Sequence, residues 1–181
     1  LVRKCERVIS QRNGIIQNDD VSRPRRIDFL RPWDEQLVIL GARIIHERKS
    51  WVEKLNNILP QKYASIAPHD GKAAWDYAPK CGQDVLLFER EAIEKRLSDL
   101  IAERREDEFM RRITLVGPHR DDLEASIGGQ AIKSFGSQGQ HRTFVLALKI
   151  TEIEFLRKET GHTPILLLDD VMSELDESRN N

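Results

Sequence analysis

The sequence predicts a mixed α/β fold: a mostly helical first part, residues 1–112, then a second part, residues 113–181, that combines short strands with one helix. Three observations predict it. Through the first part, apolar residues recur at three- to four-residue steps inside long charged segments, the rhythm of amphipathic helices. In the second part a glycine pair, Gly128 and Gly129, separates two short strand-like runs, as a tight hairpin requires. Further on, residues 165–168 read ILLL, the unbroken apolar texture of a strand covered on both faces.

The elements follow in order. Cys5, Val8, Arg12 and Ile15 keep a helical rhythm over Val2–Gln17, with good helix formers between them. Residues 18–28 are polar and hold Pro24, which predicts a loop. Asp34 is placed as the N-cap of a second helix, on which Leu37, Leu40, Ile44, Trp51, Leu55 and Ile58 share a face until a break near Pro60. Tyr63 and Ile66 continue that face in a short second piece, and Trp75 and Tyr77 suit an edge strand. Residues 84–105 predict a helix striped by Val85, Phe88, Ile93, Leu97, Leu100 and Ile101. The texture changes near Arg112. Residues 113–117, ITLVG, predict a strand ended by Gly-Pro, and residues 137–159 a helix. Phe144, Val145, Leu146, Ala147 and Leu148 surround the early turns of that helix with apolar side chains, so deep burial is expected.

Bulk composition narrows the function classes. The formal net charge is -1 with 33% charged residues, which suits a solvated, helix-rich surface and not a polybasic nucleic-acid tail. DNA contact therefore requires local patches, for which Arg23, Arg25 and Arg26, or Arg104, Arg105, Arg111 and Arg112, are candidates; taken alone, each run is better explained as a wet helix face. Two cysteines, Cys5 and Cys81, without CxxC pairing, suggest free thiols in a reducing cytosol. The five histidines lack metal-ligand spacing, and no apolar run is long enough to span a membrane.

Two segments carry chemistry. In SQGQ, Ser137 as N-cap and Gln140 at the third helical position form a capping-box spacing, which explains both residues without a ligand. It does not explain Gly139, which weakens a first helical turn and suits close approach of a large group. Free N–H groups at a helix start favour an anion, so the same four residues also read as a phosphate-recognition edge. The second segment is LLLDDVMSELD, residues 166–176. Carboxylates at the end of a buried strand are costly unless paired or metal-bound, and consecutive strand side chains face opposite ways. Asp169 and Asp170 therefore do different jobs, one facing Mg²⁺ and the other an attacking water, the pattern of a Walker B strand; an acidic turn leaving into solvent is the plainer alternative.

Taken together and in this order, LVGPHRDDL (115–123), FGSQGQHRT (135–143) and PILLLDDVMSELD (164–176), with QRN (11–13) and WDEQLVILGARIIHER (33–48) upstream, resemble the RecF family of bacterial recombination-repair ATPases over nearly the whole chain. The resemblance implies a helical arm over residues 1–112 and, over residues 113–181, the C-terminal half of an ABC-type ATPase head related to SMC-like repair proteins. It implies that Ser137, Gln138, Gly139 and Gln140 are the signature motif, which meets the γ-phosphate of ATP held by a second subunit. Asp169 is then the Mg²⁺ residue, Asp170 the catalytic carboxylate, and Ser173, Leu175 and Asp176 the D-loop. It further implies DNA and ATP binding, an ATP-dependent homodimer, and partnership with RecR and RecO in loading RecA at gaps. The implied setting is cytoplasmic DNA repair, recombination, replication and the SOS response. GPHRDD, residues 117–122, is either structural or, through His119, Asp121 and Asp122, a metal site.

A Walker A loop is expected upstream and is missing from these residues: the one Gly-Lys pair, Gly71 and Lys72, is followed by Ala73, with Ile66 where a P-loop needs glycine. The chain by itself is accordingly expected to hydrolyse no ATP and to bind it weakly. An incomplete sheet and uncovered apolar patches, prone to self-association, are also expected. Two other readings stay open: a non-catalytic helical module that binds DNA or protein, and a fragment of another SMC-like repair ATPase, disfavoured by helices interrupted at Pro24, Pro60 and Pro79.

Overall fold

The computed structural model describes residues 1–87 and 89–165. Among the described residues the fold is helix-rich with one small three-stranded sheet. Contacts divide the described residues into two compact units, each built from two segments: residues 1–49 with 78–122, and residues 50–77 with 123–165. By contacts, residues 50–77 group with the segment that begins at residue 123.

In the first unit, helix α1 (Val2–Gln17) buries Cys5, Val8, Arg12 and Ile16 along one stripe. Helix α2 (Arg23–Asn56) starts well before Asp34, which lies inside it and not at its cap. Pro24 accounts for the difference. In the first turn a proline loses nothing, because that N–H has no intrahelical acceptor. Pro32 does lie within α2, where it removes one helical hydrogen bond; both Pro32 and Asp28, the residue whose carbonyl is freed, are exposed, so water can serve that group. Neither proline interrupts the helix.

The predicted 84–105 helix is instead a 3-10 turn (Gln83–Leu87), then α4 (Arg90–Glu103) and α5 (Arg105–Arg111). Phe88, placed on its stripe, lies outside the described residues. Ile93, Leu97, Leu100 and Ile101 do form the buried face of α4. Residues 113–117 are not a strand. Side chains take over the bonds a ladder would supply: the Thr114 N–H donates to Asn13 Oδ1 at 2.8 Å and the Leu115 N–H to Glu108 Oε1 at 2.9 Å.

In the second unit, α3 (Leu59–Ile66) follows a turn and carries Pro60 in its first turn, as the break near Pro60 anticipates. Strands β1 (Ala73–Ala78), β2 (Asp122–Ile127) and β3 (Gln130–Ala131) form a sheet in the order β1-β2-β3, so β1 is an edge among the described residues. The β2–β3 hairpin pairs Ser126 with Ala131 and Ile127 with Gln130. Its two-residue turn needs positive φ at both positions, and Gly128 (57°) and Gly129 (80°) supply it. Gly71 also has its explanation here: a Cβ on it would lie 3.2 Å from the Gly128 Cα, and the Lys72 carbonyl accepts from the Gly128 N–H at 2.9 Å. Gly71 and Lys72 thus serve the hairpin.

A short helix, α6 (Ile132–Phe135), leads into α7 (Gln138–Thr160), which ends at Gly161 in the left-handed conformation. The core of this unit joins Leu59, Tyr63, Ala73, Ile127, Ile132, Phe144 and Ala147. Full burial of a large apolar side chain contributes roughly 1.5–3 kcal/mol, so this cluster is what holds α7 in place. Burial of α7 is one-sided, however: Phe144, Leu146 and Ala147 are buried, whereas Val145 is 55% exposed. Ile165 is outside any strand and exposed; the remainder of the predicted ILLL strand lies outside the described residues.

Candidate functional site

The site is assembled at the N-terminal end of α7. Ser137 is its N-cap: the hydroxyl Oγ accepts from the Gln140 N–H at 3.2 Å, while Gln140 Oε1 accepts from the Ser137 N–H at 3.0 Å. This reciprocal pair is the capping box that the spacing predicts. Because Ser137 Oγ is used as an acceptor, its own proton stays available to donate. The N–H groups of Gln138 and Gly139 belong to the first turn, which has no intrahelical acceptors. No acidic residue occupies that turn to offset the positive end of the macrodipole.

The segment entering the cap is sterically constrained. A Cβ at Gly136 would meet the Ile132 carbonyl oxygen and side chain at 2.7 Å, so only glycine fits. That carbonyl accepts from the Gly136 N–H at 2.8 Å. Phe135, just before it, is 74% exposed. Behind the first turns, Thr143 is fully buried and the Tyr63 and Phe144 rings lie 6.3 Å apart. A packed core therefore holds a helix start that carries glycine at its second position, open N–H donors, a hydroxyl and no competing carboxylate. That chemistry fits a phosphate oxygen.

Of the predicted site residues, the structure brings Ser137, Gln138, Gly139 and Gln140 together in this one turn. Asp169, Asp170, Ser173, Leu175 and Asp176 lie outside the described residues. Among the described residues no group of three His, Cys, Asp or Glu side chains is placed to hold a metal. This corrects the metal alternative for GPHRDD. Instead, His119 Nε2 is 3.2 Å from the Thr114 carbonyl, and Asp121 Oδ1 accepts from the Lys80 N–H at 2.9 Å with Arg48 Nη1 3.7 Å from its other oxygen. That segment is bound into its own unit.

The arginine patches are also largely engaged within their unit. Arg23 pairs with Glu106, Arg26 and Arg112 with Asp19, Arg104 with Asp107, and Arg105 with Asp34. Arg112 also holds the carboxyl of Asp19 below its ordinary range, chiefly through their hydrogen bond. Arg23 and Arg26 stack over Phe109, 4.9 and 5.3 Å from its centroid. A dense arginine count is thus spent mostly on internal cohesion.

A polar centre in the first unit went unread in the sequence. Arg12, fully buried, donates to Asp34, Glu108 and Thr114. The signal was present: Arg12 falls on the same stripe as Cys5, Val8 and Ile16, and a buried arginine requires buried carboxylates.

No protein-family profile matches the chain. Among curated proteins it is 39% identical over 173 residues to the DNA replication and repair protein RecF of Trichlorobacter lovleyi, a match that covers 96% of this chain and 44% of that protein. The corresponding RecF of Halothermothrix orenii is 36% identical over 181 residues, 100% of this chain and 48% of the relative. A solved structure described as the recombination mediator protein RecF-ATP in the RecFOR pathway has a TM-score of 0.86 and 35% identity over 99% of this chain and 47% of that one. The chain spans about half the length of the relatives it matches. Among the described residues no helix is long and apolar enough to cross a membrane.

Proposed function

The chain belongs to the RecF family over the stretch that it spans, and we propose that it supplies such a DNA-repair protein with its helical arm and with the part of an ABC-type ATPase head that faces nucleotide across a dimer. The reading assigns residues 1–112 to the arm and 113–181 to the head. The observation that carries it is the first turn of α7: a capped, core-anchored helix start with glycine at its second position, open N–H groups and no acidic residue.

In this reading the N–H groups of Gln138 and Gly139 and the hydroxyl of Ser137 bind the γ-phosphate of ATP held by a second subunit. Gln140 orients Ser137 through the capping box and engages its oxygen as an acceptor, which leaves the hydroxyl proton free to donate. Gly139 allows the phosphate to come close to the backbone. Asp169 holds Mg²⁺, Asp170 orients the attacking water, and Ser173, Leu175 and Asp176 line the subunit interface. The bound nucleotide supplies the phosphoryl group and the bridge between subunits. Such a dimer acts on DNA in the cytoplasm, with RecR and RecO as partners in loading RecA.

The test is complementation in a RecF-length protein that contains this stretch. Ser137→Arg and Asp170→Asn each abolish ATPase turnover. In a mixed dimer, one site combines an intact Asp170 with the other subunit's intact Ser137. Mixing the two variants therefore restores part of the turnover. No recovery, with dimers shown to form, would place both residues in the same subunit's site and contradict the reading.

A further inference from the structure

The first unit contains a cavity of about 260 Å³ remote in sequence from the α7 turn. Its floor is apolar: Leu97 and Leu100 from α4 and Val116 from the segment after α5 are all buried side chains at its lining. Its mouth is cationic, bordered by Lys80, Arg104 and Arg111, all exposed. Arg104 is partly neutralised by Asp107 at 3.1 Å. Among the described residues, neither the Lys80 ammonium nor the Arg111 guanidinium has an ion-pair partner.

The mouth is built and not incidental. Asp121 accepts from the Lys80 backbone N–H at 2.9 Å, and Arg48, which holds Asp121, also donates to the Pro118 carbonyl at 2.6 Å. The Lys80 backbone is thereby held at the lining, to which the last turn of α5 also brings Arg111. Cys81 lines the cavity as well; burial pushes its thiol up to about 11, so it adds no charge to the floor.

We propose that this cavity is a docking site for an acidic peptide segment of a partner protein that inserts one large apolar side chain. The apolar floor takes the side chain, and Lys80 and Arg111 pair with flanking carboxylates. Charge complementarity selects this occupant. A nucleic-acid backbone needs only the cations and gains nothing from the apolar floor, and the Asp107 and Asp121 carboxylates at the lining are already engaged by Arg104 and by Arg48 with the Lys80 N–H, which leaves Lys80 and Arg111 to select acidic side chains. An apolar peptide without acids leaves two cations partly desolvated and unpaired. The site lies in the first unit and does not depend on the nucleotide reading.

The test is fluorescence anisotropy of the 181-residue chain with three labelled probes: Asp-Asp-Phe-Glu-Glu, Asp-Asp-Ala-Glu-Glu, and a 20-nucleotide single-stranded DNA. The phenylalanine peptide is expected to bind at least tenfold more tightly than the alanine peptide. Lys80→Glu with Arg111→Glu, at exposed positions that leave the core untouched, is expected to weaken it at least tenfold with an unchanged circular dichroism spectrum. Equal binding of the two peptides overturns the proposal, as does peptide binding unaffected by the double variant. DNA binding that the double variant abolishes, with no peptide binding, overturns it in favour of a nucleic-acid surface.

Discussion

Arg12 and Glu108, 96 residues apart in sequence and both without exposed side-chain surface, meet at 2.9 Å. Around them, Arg105 and Asp34 complete a set of two guanidiniums and two carboxylates, and Thr114 accepts from Arg12 at 2.8 Å. The charges balance, which is the condition for keeping them out of water. This set ties α1, α2 and α5 to the segment that follows α5.

The first prediction concerns that set. Glu108→Ala leaves Arg12 buried with half its carboxylate partners, and it also orphans the Leu115 N–H. It should destabilise the chain by about 3–5 kcal/mol in urea unfolding. Arg12→Met combined with Glu108→Leu should cost clearly less than the sum of the two single variants. Additive losses would mean that the pair is not coupled.

A second prediction separates cap from ligand at α7. Ser137→Ala removes the cap and should cost about 1 kcal/mol in thermal or urea unfolding. Gly139→Ala should do the opposite, stabilising the helix by roughly 0.5–1 kcal/mol because alanine is the better helix former. In a RecF-length protein containing this stretch, the same Gly139→Ala change should weaken nucleotide-dependent assembly. Stabilisation without any loss of assembly would reduce Gly139 to an incidental residue.

A third prediction follows from a clamp between α3 and α7. Glu154 accepts from Lys62 at 2.6 Å and from Lys158 at 3.0 Å, and these bonds hold its carboxyl down at about 2, against an ordinary 4.5. A depressed folded-state pKa adds stability that is complete above 4.5 and is lost as pH falls toward about 2. Melting temperature should therefore decline across that window. Glu154→Gln should flatten this part of the decline and leave the rest of the profile in place; an identical acid limb in the variant would remove the clamp from the account.

Legibility in the sequence divided along physical lines. Helix α1, the Ser137 cap and the Gly128–Gly129 hairpin were readable because local rules decide them: periodicity, a four-residue capping pattern, and positive φ. Asp34, Arg12 and residues 113–117 were misread or passed over because distant partners decide them. Asp34 has the composition of an N-cap, yet Arg12 and Arg105 hold it within a helix that Pro24 had already started. ITLVG has strand composition, yet Asn13 and Glu108 claim its N–H groups. Val145 stays exposed on a helix whose apolar residues suggested burial all round. The four signature-like residues were legible as a turn, while Asp169, Asp170 and the SELD residues stand outside the described part of the chain.

The most direct measurement is sedimentation velocity of a RecF-length protein carrying this stretch, with and without ATP. Wild type should shift from monomer to dimer with nucleotide. Ser137→Arg should remain monomeric while equilibrium dialysis shows that it binds ATP as well as wild type does. A Ser137→Arg protein that dimerises with ATP like the wild type would contradict the claim that the first turn of α7 reads a triphosphate held by its partner.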